Sequence, residues 1–252
     1  MANYDQERLH QIRLGASADM SIDQGLRSYM LSVYNYMAGA LALTGLVAYF
    51  AYSAAGEMTA DGFMVTAFGD AIYNSPLRWA VMLAPLAFIL VLSFGVHKLS
   101  LAATQMIFWT FASVMGLSLS SIFLVFTGES ITTTFFVTAA AFGSLSLYGY
   151  TTKRDLSGMG SFLFMGLIGI IIAMVVNLFL GSSALQFAIS VLGVLIFAGL
   201  TAYDTQRIKG MYYEGDSVAA AGKKAVMGAL SLYLDFINMF MFLLQFLGSQ
   251  RN

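Results

Sequence analysis

Seven runs of predominantly apolar residues divide the chain, at roughly 30–52, 78–97, 104–126, 131–151, 160–180, 185–208 and 225–247. An α-helix needs about 20 such residues to cross a bilayer, and each run is long enough. The fourth is the most polar, and only Ser and Thr interrupt it. Inside a bilayer every backbone N–H and C=O must be satisfied within the protein, which restricts such a chain to packed helices. Charged residues make up 10% of the sequence, against about 25% in an average soluble domain, and mean hydropathy is +0.77. The reading is an all-α, multi-pass membrane protein with seven transmembrane helices. With 2 Pro the helices should run unbroken, and 24 Gly suit close helix contacts. The chain has no Cys, so it has no disulfides and no Cys-ligated metal. A net charge of -1 offers nothing to nucleic acid.

The connections fix an expected orientation. Residues 1–28 read as a polar cytoplasmic tail, without the apolar core of a signal peptide. Residues 29–252 then form the seven-helix transmembrane domain. With seven spans, Arg8, Arg13, Arg27, Lys98, Lys153, Arg154, Arg207, Lys209, Lys223 and Lys224 fall on one side, and only Arg78 and Arg251 on the other. Basic residues favour the cytoplasmic side, so the N-terminus is expected to be cytoplasmic and the C-terminus outside. The longest connection, about 53–77, reads either as a plain loop or as one carrying a short interfacial helix through Phe63, Met64, Val65 and Phe68. Its Asn74-Ser75-Pro76 reads as a turn. Small residues at helical spacing, Ser113, Gly116 and Ser120 and then Ala139, Gly143 and Ser146, read as packing faces.

Two aspartates interrupt the apolar pattern: Asp204 in the sixth run and Asp235 in the seventh. A carboxylate at the bilayer centre costs about 2.5–3.5 kcal/mol on insertion scales, so an intramembrane acid marks a functional site. Ser231, Asp235, Asn238 and Gln245 fall along one line of the seventh helix, while its other faces carry Leu, Phe, Met and Ile. A polar stripe must face protein or water, which places this last helix inside the bundle. Asp204 has two readings. Arg207, three residues on, could pair with it at the membrane edge. Alternatively, Asp204 faces Asp235 from the neighbouring antiparallel helix. Two carboxylates within hydrogen-bonding distance cannot both ionise cheaply, so such a pair shares a proton and titrates as a unit. Protonated, the pair bridges two helices; deprotonated, it repels itself and attracts a cation. Calcium suits carboxylate oxygens, but two carboxylates supply at most about four of its six to eight ligands, so binding would be weak.

At these residues the sequence resembles the Bax inhibitor family, also called the transmembrane Bax inhibitor motif family. Ala202-Tyr203-Asp204-Thr205-Gln206-Arg207-Ile208-Lys209 is similar to its signature, and Ser231-Leu232-Tyr233-Leu234-Asp235-Phe236-Ile237-Asn238 to its last-helix motif. The resemblance is to bacterial members. It implies seven helices with the last at the centre and two groups of three around it. It implies a pH-sensitive calcium leak, with Asp204 and Asp235 as the di-aspartyl sensor. Some bacterial members place an arginine at the end of the second span that latches to this pair. Here that region reads Val96-His97-Lys98, and Lys98, lacking arginine's bidentate fork, would make a weaker latch. Arg207, Ser231 and Asn238 are the other candidate supports. The resemblance also implies a bacterial inner membrane, and offers an alternative function as a non-transporting regulator that binds an ATP-dependent membrane protease through the tail.

Enzymatic readings fare less well. An intramembrane aspartyl protease would also place acids on consecutive helices, but those enzymes carry Gly-x-Gly-Asp, whereas Asp235 follows Leu232-Tyr233-Leu234. The metalloprotease helix motif, the nucleophile elbow and the phosphate-binding glycine loop are all missing. The expectation is a protein without catalytic activity. Glu129 could line an ion entrance or be an interfacial loop residue, and Asn177 is a candidate interhelical hydrogen-bonder.

Overall fold

The computed structural model describes the backbone of residues 2–251 except 60 and 61, and the side chains of residues 24–251 except those of residues 58 and 60–62. Helix α1 runs Ala2–Ala55, and its membrane-length part is Gln24–Ala55. The side chains of residues 1–23 of the polar tail, Arg8 and Arg13 among them, lie outside the described residues, as does Asp61. Six further candidate spans follow: α3 (Leu77–Gly95), α4 (Leu101–Leu119) continued by the short α5 (Ile122–Val125), α6 (Gly128–Thr151), α7 (Ser157–Leu180), α8 (Ser183–Gly210) and α9 (Val218–Leu247). The seven runs of the sequence therefore become seven helices long and apolar enough to span a membrane.

Local sequence sets where these helices start and stop. Ser100, Thr127, Ser182 and Ser217 each stand before a helix and accept the backbone N–H of Ala103, Ser130, Leu185 and Ala220. These caps satisfy donors that the first turn of a helix leaves free. Gly181, at φ 60°, closes the turn between α7 and α8 in the left-handed region where glycine carries no steric cost. Helix α8 reaches Gly210 and α9 begins at Val218, so the link between the two acidic helices is shorter than the apolar runs suggested.

The first connection differs from both readings of its sequence. Strands β1 (Gly56–Thr59) and β2 (Gly62–Val65) pair as an antiparallel hairpin, followed by a single turn α2 (Ala67–Gly69) and a π-turn over Asp70–Asn74. Phe63, Met64 and Val65 are thus in a strand, and of the four expected helical residues only Phe68 is helical. Pairing the strands satisfies their backbone groups locally, and Thr66 N–H closes the segment onto Ala55 O at 2.9 Å. The turn at Asn74-Ser75-Pro76 is present.

The bundle is organised around α9. Its spanning window is 72% buried, against 11% for α3 and α7. It packs on α8, α1, α6 and α4. The remaining spans fall into two groups of three: α1 and α3 pack on α4, and α6 and α7 pack on α8. Helices α3 and α7 are the outermost members, each held chiefly by one neighbour. Small residues make the tight approaches. A side chain at Gly149 would run into the Ala202 backbone of α8, and one at Gly116 would meet Thr44 O of α1. Gly143, by contrast, faces open space, so it is not a packing residue.

Long-range ties mark the two ends. At the end rich in basic residues, Lys223 Nζ donates to Val96 O (3.2 Å) and Leu99 O (3.4 Å), and Lys209 Nζ donates to Tyr150 O (2.9 Å). At the opposite end, Arg251 Nη1 donates to Tyr52 OH (2.7 Å), and Thr127 N–H donates to Ser249 O (3.2 Å). Asn177 also lies at that end. It donates to Gln186 of α8, which in turn donates to Gln245 of α9, so Asn177 is an interhelical hydrogen-bonder.

Candidate functional site

Asp204 is carried by α8 six residues before its end, and Asp235 by the middle of α9. Both are buried, with 8% and 5% of their surface exposed. The two helices pack directly on each other, and both aspartates line one cleft. Of the two readings of Asp204, the pairing with Arg207 is formed, and Asp235 lines the same cleft from the adjacent helix. Arg207 Nη2 stands 3.2 Å from Asp204 Oδ1, one turn further along α8. The same nitrogen donates to Ser231 Oγ of α9 at 3.1 Å, one turn before Asp235. Arg207 thus ties the acidic turn of α8 to the acidic turn of α9. Asp235 Oδ2 is buried and has no hydrogen-bond partner among the described residues.

The cleft holds about 940 Å³. Its floor carries Tyr203, Asp204, Arg207, Ser231, Asp235 and Asn238. Its walls are apolar: Leu86 and Ile89 from α3 on one side, and Phe164, Ile171 and Met174 from α7 on the other. It forms where the two outermost helices stand apart, each leaning on its own neighbour. The wall residues carry no sequence signal of a site, since they are ordinary members of apolar spans. Only the floor is legible as letters.

The other candidates are placed as follows. Asn238 lines the cleft, but its Nδ2 donates back to Leu234 O of its own helix at 2.8 Å. Gln245, on the same stripe, has left the cleft and joins Gln186 at the far end. Lys98 lies exposed in the turn after α3 and does not line the cleft. Its backbone N–H bonds Gly95 O, and its side chain shows no partner among the described residues. The cation beside the acid pair is Arg207. The Lys98 latch is not formed in this conformation, and the lysine that engages the α3–α4 turn is Lys223. Glu129 lines a separate pocket at the opposite end with Thr127, Ser130, Thr133 and Thr134. Among the described residues no third His, Cys, Asp or Glu joins the aspartates as a metal-binding group.

Outside the spans, the connection before α7 is shaped by polar side chains. Gln206 of α8 accepts Leu156 N–H at 2.9 Å and donates to Arg154 O at 2.8 Å. Asp155 Oδ1 accepts Ser157 N–H at 2.9 Å. The Ser157 hydroxyl, and then its backbone N–H, hold the Asp155 carboxyl below the usual aspartate value.

A central helix bearing a buried acid, two flanking triplets of spans and a cleft that reaches the acid from the bundle's side define an integral multi-pass membrane protein. The model of the family described as "Inhibitor of apoptosis-promoting Bax1" matches residues 26–252, and the chain belongs to this Bax inhibitor family. An uncharacterised protein of Caulobacter vibrioides is 50% identical over 93% of each chain. Inner membrane protein YbhL of Escherichia coli is 46% identical, over 90% of this chain and 94% of its own. An uncharacterised protein of Rickettsia prowazekii, RP147, is 48% identical over 94% and 95%.

Proposed function

We propose that the protein is a pH-sensitive cation leak, with calcium as the ion, gated by protonation of the Asp204–Asp235 pair. The observation that carries this reading is a buried carboxylate oxygen on the central helix, without a hydrogen-bond partner among the described residues, in the same cleft as a second carboxylate on the adjacent helix. An isolated buried charge is too costly to keep for packing alone. It is tolerable where it exchanges a proton or meets a cation. With a proton, the pair accommodates the α8–α9 contact. Without it, like charges oppose across that contact and a cation is drawn in. Flux should therefore rise with pH as the pair loses its proton. Calcium would be held weakly, with carbonyls and water completing its shell. The role is non-enzymatic.

The bias of basic residues toward one end supports a cytoplasmic N-terminus and an outside C-terminus. The Escherichia coli relative described as an inner membrane protein supports the same location here. The test is calcium entry into liposomes holding purified protein and an enclosed indicator, with external pH stepped across the neutral range. Asp204→Asn and Asp235→Asn should each abolish the pH dependence. An unchanged profile in both variants would overturn the proposal.

A further inference from the structure

We infer that the cleft between α3 and α7 is a binding site for an amphipathic amine, with its ammonium against Asp235 and its apolar body along the walls. The floor and the walls of the cleft are mismatched in polarity. A small hydrated cation would use only the polar floor and leave the walls without a role. The cleft offers about 940 Å³ bounded by Leu86, Ile89, Phe164, Ile171 and Met174. That volume lies in the range of pockets that take whole organic ligands, roughly 300–1,000 Å³. A plain lipid-facing groove would not do either, because its floor would be apolar.

Charge complementarity selects the headgroup. Asp204 already has a cation in Arg207, and Arg207 also engages Ser231. Among the described residues Asp235 forms no ion pair, its Oδ2 accepts no hydrogen bond, and it is 5% exposed. A ligand that fits must bring a donor, and a positively charged donor satisfies both the geometry and the charge. An alkylammonium carries its charge at neutral pH as lysine does. The neutral chain alone would leave the carboxylate as it is.

The inference shares Asp235 with the proposed leak but does not require ions to pass. Its test is direct binding to the purified full-length protein in detergent micelles, with dodecylamine as probe and dodecanol as the uncharged probe of equal chain length. Dodecylamine should bind about tenfold tighter or more than dodecanol, the scale of one charge-assisted hydrogen bond. In Asp235→Asn the two probes should become equal. In Ile171→Trp, which leaves the floor intact and fills the cleft, dodecylamine affinity should fall. Equal affinity of the two probes for the unaltered protein would mean an acyl-chain groove and overturn the inference. So would an amine preference that survives both substitutions. Flux plays no part in this readout, so failure here leaves the leak standing, and failure of the leak leaves this binding site standing.

Discussion

Arg207 of α8 and Ser231 of α9 are joined by a 3.1 Å hydrogen bond from the same Nη2 atom that pairs with Asp204 at 3.2 Å. One guanidinium therefore neutralises one acid and reaches across to the helix carrying the other. The arrangement makes the inter-helix contact and the charge of the acid pair parts of one network, and it governs the first prediction.

Arg207→Gln removes a positive charge from beside both aspartates. Losing a nearby cation makes a carboxylate pair harder to ionise. The rising limb of calcium flux in liposomes should move to higher pH, with Arg207→Lys lying between Gln and the unaltered protein because lysine keeps the charge but not the planar fork. The contribution to stability should be small, about 0–1 kcal/mol, since the Arg207 side chain is 47% exposed and water screens it. An unmoved profile would show that Arg207 is only a tether.

Asp235→Asn should raise the thermal stability of the purified protein at pH 8. An unpaired buried charge costs more than a neutral polar group in the same place, and the amide removes the charge while preserving shape. Detergent melting curves of the two proteins give the measurement. A loss of stability would mean that the carboxylate is satisfied by something other than the protein's own groups.

The spans and the place of α9 were legible in the sequence because both depend on local pattern. Apolar length alone fixes the spans. The stripe Ser231–Asp235–Asn238 can lie only on a face turned away from lipid. The cleft was not legible. Its walls come from α3 and α7, both strongly apolar spans, with mean hydropathies of 2.1 and 2.7. A helix apolar on every side gives no sign of which face looks at a neighbour and which at a gap. The sequence pointed to Lys98 at the end of α3, whereas Lys223, more than a hundred residues on, holds that turn by bonds to backbone oxygens that no side-chain pattern encodes. The hairpin was hidden for a similar reason: Phe63, Met64 and Val65 suit an interfacial helix or a strand equally, and pairing with Gly56–Thr59 decided the matter.

Gly149→Val should separate α6 from α8. The added side chain would collide with Ala202 backbone, which cannot swing aside as a flexible side chain would. Overpacking of this kind costs about 1–3 kcal/mol and sometimes more. Gly143→Ala, on the same helix but facing open space, should not lower melting and should raise it slightly through helix propensity. The pair of variants separates packing from helix propensity, which favours Ala over Gly and would disfavour neither α6 variant strongly.

Asp155 should titrate below the ordinary aspartate value of 3.8, because Ser157 donates to it by hydroxyl and by backbone N–H. A carboxyl depressed in the folded state stabilises it at pH above the unfolded value, and that contribution disappears as pH falls through the folded value. The start of α7 should therefore loosen only in acid below about pH 4, and stay unchanged across the neutral range in which the proposed leak would switch. Carbon-detected NMR of the Asp155 carboxyl in Ser157→Ala should show the titration returning toward the ordinary value. A normal titration in the unaltered protein would remove Ser157 as its cause.

Lys223→Met should free the turn at the end of α3. Helix α3 is anchored mainly by α4, and the bonds from Lys223 to Val96 O and Leu99 O fasten its last turn to the first turns of α9. They also satisfy carbonyls that a helix C-terminus leaves open. Without them, amide exchange over residues 96–100 should quicken, while exchange in α9 itself, buried on most sides, stays slow. Since α3 supplies Leu86 and Ile89 to one wall of the cleft, calcium flux should rise in the same variant if this wall moves during opening. Faster exchange with unchanged flux would place the moving wall at α7. No change in exchange would show that α4 alone holds α3 in place.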